Sequence, residues 1–214
     1  GEGMGKLRDC ATAFLGRDFP LRVEDGSGGS VVRHWQVAVI CGKNDKLKQE
    51  LESAAQRDLE RRSALPQPLD HVAPDFRVLG FVTNMEEWML AADILVTKAG
   101  PGTIMEACSV GLPVLLYDFF PGQEEGNITF VVEHKMGGYE EDALRVPETC
   151  VQWLTDPQRM QDMRAAAQAR AMPRASLDIA EEIIRVLDEP PREVGYFAYD
   201  SNDSNNNNYI INNK

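Results

Sequence analysis

"LVTKAGPGTIMEACSVGLPVLLY", residues Leu95–Tyr117, reads as one strand–turn–helix–strand unit. With Ile94 in front, Ile94–Thr97 is an apolar run of the kind that fits a pleated strand. Gly100-Pro101-Gly102 turns the chain, and a helix is expected from there to about Ser109. Pro113–Tyr117 then makes a second apolar run. Strands joined through a helix run parallel, because a tight hairpin cannot hold such a crossover.

The same alternation extends outward. Val37–Cys41 is a strand ended by Gly42, and the charged segment from Lys46 to about Arg62 places Leu47, Leu51, Ala54, Ala55 and Leu59 at helical spacing. Phe76–Leu79 is a further strand. Thr83 or Asn84 then caps a helix over Glu86–Ala92, with Glu86 in capping-box register to Thr83. Asp156-Pro157 starts a helix to about Met172, and Ser176 introduces another with Ile179, Ile183, Val186 and Leu187 on one face. Continuous apolar strands alternating with helices predict an α/β fold: a Rossmann-like parallel sheet with helices on both faces. Residues 1–189 form one domain on this reading. Residues 190–214, polar and Asn-rich, form a disordered tail, and Glu24–Ser30 and Ala64–Pro74 are surface loops.

The bulk composition narrows the function. A chain of 214 residues with 43% hydrophobic and 26% charged residues suits one globular core. Its net charge of −12 argues against a nucleic-acid partner, which needs a dense basic face. Cys10, Cys41, Cys108 and Cys150 are widely spaced and read as reduced thiols rather than as disulfides or metal ligands. No apolar run approaches the roughly 18 residues of a membrane span, so any membrane is met from its surface. The opening Gly1-Glu2-Gly3-Met4-Gly5 is a cluster that ordinarily follows a strand, which points to sequence upstream of it.

In an open parallel sheet, ligands bind beyond the carboxyl ends of the strands. Four loops converge there: Gly1–Gly5, Gly80–Met85, Lys98–Thr103 and Asp118–Asn127. The glycine-rich first and third suit a diphosphate held by backbone N–H groups, although neither is a P-loop or a dinucleotide fingerprint. Glu106 has two readings. Thr103-x-x-Glu106 has capping-box spacing, and a carboxylate one turn behind a phosphate loop can also hold a ribose diol. Gln123-Glu124-Glu125-Gly126-Asn127 carries amides and carboxylates that read sugar hydroxyls or simply line an acidic loop. His34, His71 and His134 have no metal or triad spacing, and Trp35, Trp88 and Trp153 read as core.

"GFVTNMEEWMLAADILVTKAGPGTIMEACSVGLPVLLYDFFPGQEEGN", Gly80–Asn127, resembles the donor-binding, C-terminal half of the MurG-like GT-B glycosyltransferases of family 28, in particular the plastid galactolipid synthases. That resemblance implies a UDP-sugar-binding domain at 1–189 and an inverting transfer of galactose from UDP-galactose to diacylglycerol. It implies that Glu106 holds the ribose, Gln123 and Glu124 the galactose, and Gly3, Gly102 and Thr103 the diphosphate. Phe81 and Val82 would hold uracil, with Asn127 supporting the loop. No catalytic residue is expected within the chain, since the base and the diacylglycerol site would belong to an N-terminal acceptor domain outside it. Without that domain the chain alone is expected to be inactive. No metal or cofactor is expected, and localisation would be peripheral on a plastid membrane, reached through the acceptor domain. Two alternatives share the fold: a diacylglycerol glucosyltransferase or N-acetylglucosaminyltransferase, and a donor-binding subunit that needs a separate acceptor-binding partner.

Overall fold

The computed structural model describes residues 6–17, 21–24, 29–64 and 74–188. Helix α1 (Leu7–Ala13) is followed by an antiparallel hairpin of β1 (Leu21–Glu24) and β2 (Ser30–Arg33). The hairpin is an addition to the expected elements. Then come β3 (Gln36–Ile40), α2 (Asp45–Ser63), β4 (Asp75–Leu79), α3 (Met85–Ala91), β5 (Leu95–Lys98), α4 (Pro101–Ser109) and β6 (Val114–Asp118). After these follow α5 (Glu125–Glu133), β7 (Gly137–Tyr139), α6 (Val146–Leu154), α7 (Pro157–Gln168) and α8 (Ala175–Asp188). The chain divides into two compact units, Gly1–Met172 and Pro173–Lys214.

All pairings among β3–β7 are parallel, in two separate pieces: β3 with β4, and β5–β6–β7 with β6 in the middle. One core serves both pieces. Cys10 and Phe14 of α1, Trp35, Leu115, Tyr117 and Trp153 form it, with Val37, Phe76 and Val96 against its edge. On the other face of β6, Val114 and Leu116 meet Ile104, Ala107 and Cys108 of α4 and Val131 of α5. The run Val114–Tyr117 is therefore apolar throughout because both of its faces are covered, and each Leu or Val buried this way contributes about 1.5–3 kcal/mol.

The β7 strand has no β-branched residue, and its glycines explain why. A Cβ on Gly137 would lie 1.8 Å from the Val114 carbonyl oxygen, and one on Gly138 would lie 3.2 Å from the Trp153 ring. Close approach selects glycine here against its strand propensity. Gly111 (φ 65°) closes α4, with its N–H donating to Cys108 O and the Leu112 N–H to Ala107 O. Asp156 caps α7 through the Arg159 N–H, as expected. The expected Thr83 capping box does not form: Asn84 is the N-cap of α3, and its side chain donates to Glu87 instead.

All four cysteines are free and buried. Burial pushes the Cys10 and Cys150 thiols up to about 12 and raises those of Cys41 and Cys108 as well, so they are poor nucleophiles. Trp35 and Trp153 are core and Trp88 is half-buried, while His34 is exposed. His134 bonds the Phe130 carbonyl, and His71 lies outside the described residues. Among the described residues no helix is long and apolar enough to cross a membrane. The 190–214 tail also lies outside them.

Candidate functional site

The parallel register of β5 on β6 sets Lys98 opposite Asp118, so the loops leaving both strands start at the same height. From there the chain passes through Ala99 and Gly100 into α4, with Gly100 as N-cap and Pro101 in the first turn. Proline gives up no hydrogen bond at that position, because the first N–H groups of a helix have no internal partner. A helix beginning at Pro101 puts Thr103 inside the first turn instead of at the cap. The expected Thr103–Glu106 capping box is therefore absent, and no side chain caps α4. Glu106 is exposed and makes no side-chain hydrogen bond or ion pair among the described residues.

Two side chains join the β5 loop to the β6 loop. The Asn127 Nδ2 donates to the Ala99 carbonyl at 2.8 Å. The Lys98 Nζ donates to Glu124 Oε1 at 2.5 Å and also lies 4.8 Å from the centre of the Phe120 ring. The other carboxylate oxygen, Oε2, accepts the Phe120 N–H at 2.9 Å. Glu124 is only 8% exposed. Burial raises its carboxyl pKa, but the hydrogen bond from Lys98, the Phe120 N–H and the lysine charge outweigh this and hold it below its ordinary 4.5. Around Gly100, the Lys98 ammonium, Glu124 Oε1 and Thr103 Oγ1 all lie within 4.0 Å of where a Cβ would stand. At Gly102 nothing lies within 4 Å of that point, so the face of the first turn is open there.

Thr103 and Glu124 thus meet around Gly100 and Asn127 ties in through Ala99, while Gly102 and Glu106 follow in the first turns of α4 and Gln123 is exposed. Phe81 and Val82 stand on the loop after β4. Gly80 approaches the Gly42 carbonyl, Phe81 is 65% exposed, and the Lys43 ammonium lies 5.8 Å from its ring centre. No hydrogen bond or ion pair among the described residues ties this loop to the α4 turn. Gly3 lies outside the described residues. Lys98 and Phe120 are the site residues that the sequence reading did not name. The opposite charges of Lys98 and Asp118, at the ends of neighbouring strands, were the available signal. Among the described residues no group of three or more His, Cys, Asp or Glu is arranged to hold a metal.

A probable monogalactosyldiacylglycerol synthase 2 of Oryza sativa subsp. indica, a chloroplastic protein, is 34% identical over 191 residues, covering 89% of this chain and 36% of the relative. The chloroplastic monogalactosyldiacylglycerol synthase of Spinacia oleracea is 34% identical over 193 residues, covering 90% and 32%. The chain therefore spans about a third of the length of these curated relatives. Acinetobacter baumannii MurG superposes with a TM-score of 0.58 at 16% identity, covering 86% of this chain and 46% of that structure. Anabaena HepE, solved in complex with UDP, gives 0.54 at 18% identity, covering 87% and 45%. These neighbours share the GT-B glycosyltransferase fold. The glycosyltransferase family 28 C-terminal domain matches residues 21–183, and the chain belongs to that family.

Proposed function

We propose that this chain is the donor-binding half of a galactosyltransferase that uses UDP-galactose to make monogalactosyldiacylglycerol at the surface of a plastid membrane. The family match and the chloroplastic synthases among its relatives support the reading. The observation that carries it is Glu106: an exposed carboxylate with no side-chain partner among the described residues, one turn behind the open Gly102–Thr103 face of a helix whose preceding turn is tied to Asn127.

In this reading Glu106 accepts hydrogen bonds from the ribose hydroxyls, and Phe81 packs on uracil while the Val82 backbone bonds its edge. The N–H groups of Gly102 and Thr103 face the diphosphate, with Gly3 adding to them. Gln123 and Glu124 meet the galactose. Glu124 retains acceptor capacity, since a carboxylate has about four lone-pair sites and two are spent here. A base outside this chain removes the proton from the diacylglycerol hydroxyl. The oxygen attacks the anomeric carbon, and the bond to UDP breaks with its electron pair passing to the diphosphate. N–H donors already aimed at that group stabilise the charge without reorganising, and no divalent ion is invoked.

Calorimetric titration with UDP tests the assignment. Glu106→Ala weakens UDP by about 1.5–3 kcal/mol, the range for a charge-assisted hydrogen bond. Equal affinities of the two proteins would remove Glu106 from the site.

A further inference from the structure

We infer that Lys98 is a phosphate-facing cation of the donor site, resting on the reading above, and that the buried Glu124 is its anchor. Three observations converge on it. The ammonium is fixed from two sides, by Glu124 Oε1 at 2.5 Å and by the Phe120 ring at 4.8 Å. The anchor is itself fixed, since Glu124 Oε2 takes the Phe120 N–H, and the pair spans 26 positions of sequence. The ammonium also stands beside the turn that opens onto Gly102, with its Nζ 3.7 Å from the Cβ position of Gly100 and its side chain 33% exposed.

A lysine has three N–H donors, and Glu124 takes one. The charge of the pair is balanced before any ligand arrives, so holding an ammonium beside the positive end of α4 costs little. An arriving diphosphate meets a cation already oriented, and the remaining donors turn to it while the first stays on Glu124. Such an arrangement makes recognition depend on the phosphates and leaves the nucleoside to other residues. A lysine placed only to satisfy a buried carboxylate would affect both parts of the ligand alike.

Titration of the full chain with UDP and, separately, with uridine distinguishes these roles. Lys98→Met weakens UDP roughly 10- to 100-fold, as loss of a charge-assisted bond requires, and leaves uridine unchanged. Lys98→Gln, whose amide can still donate to Glu124, gives the same selective loss with the packing kept. Lys98→Arg restores most of the affinity. Parallel losses for UDP and uridine in Lys98→Gln, or no loss, overturn the inference while leaving the Glu106 assignment intact. Failure of the unsubstituted chain to bind UDP removes both.

Discussion

At the carboxyl ends of β5 and β6 the loops are stitched together by side-chain hydrogen bonds, whereas at the carboxyl ends of β3 and β4 the described contacts are a backbone approach and the Lys43 ammonium near the Phe81 ring. Lys98–Glu124 and Asn127–Ala99 close the first pair, over a strand whose residues Val114–Tyr117 are all buried. The second pair rests on Cys41 N–H to Leu79 O and on the contact of Gly80 with Gly42, above strands that leave Gln36, Ala38 and Arg77 exposed. The difference teaches where rigidity is placed. The loops that carry Lys98, Gly102 and Glu124 are held by polar contacts around a buried carboxylate, where such contacts are strong. Phe81 stands exposed on the other rim, with the Lys43 ammonium 5.8 Å from its ring centre.

Substitutions can break this contrast. The largest effect is expected at the base of the stitched half, where Gly137→Ala drives a Cβ into the Val114 carbonyl and should cost about 3 kcal/mol or more in urea unfolding. Next is Asn127→Ala, which strands the Ala99 carbonyl and should cost about 1–2 kcal/mol by the same measurement.

Glu124→Gln tests the electrostatic stitch and should cost about 1 kcal/mol at neutral pH, because Lys98 is one-third exposed and partly screened. Its pH dependence has a fixed sign. Glu124 titrates below 4.5 in the folded chain, so its contribution is complete above that value and disappears as the pH falls through the lower folded value. The stability gap between wild type and Glu124→Gln should be constant above about pH 6 and close in acid. The smallest effect is expected on the open rim. Phe81→Ala should change stability by less than about 0.5 kcal/mol, as surface substitutions do, while weakening both UDP and uridine in calorimetry. A large stability loss at Phe81 would show that the rim is packed and remove the contrast.

Residues β3 to β6 were legible as strands because their apolar runs are short, β-branched and bounded by turn residues. β7 was not, since Gly137 and Gly138 are there for the space that Val114 and Trp153 leave them. The site divides in the same way. The glycine turn, Glu106 and the Gln123–Asn127 string were visible as chemistry, and Glu106 carried two readings of similar weight. Helix α4 starts at Pro101, which leaves Thr103 out of the cap position and Glu106 without a side-chain partner among the described residues, so the capping box does not form.

By itself, then, the sequence determined the alternating α/β layout, the parallel direction of its strands and the residue types gathered beyond their ends, because these follow from local periodicity and turn chemistry. Only the tertiary structure decided which of those residues meet. Lys98 and Glu124 lie far apart along the chain and become neighbours through the register of β5 on β6, which is set by burial of both faces of β6 and by no local signal in either loop.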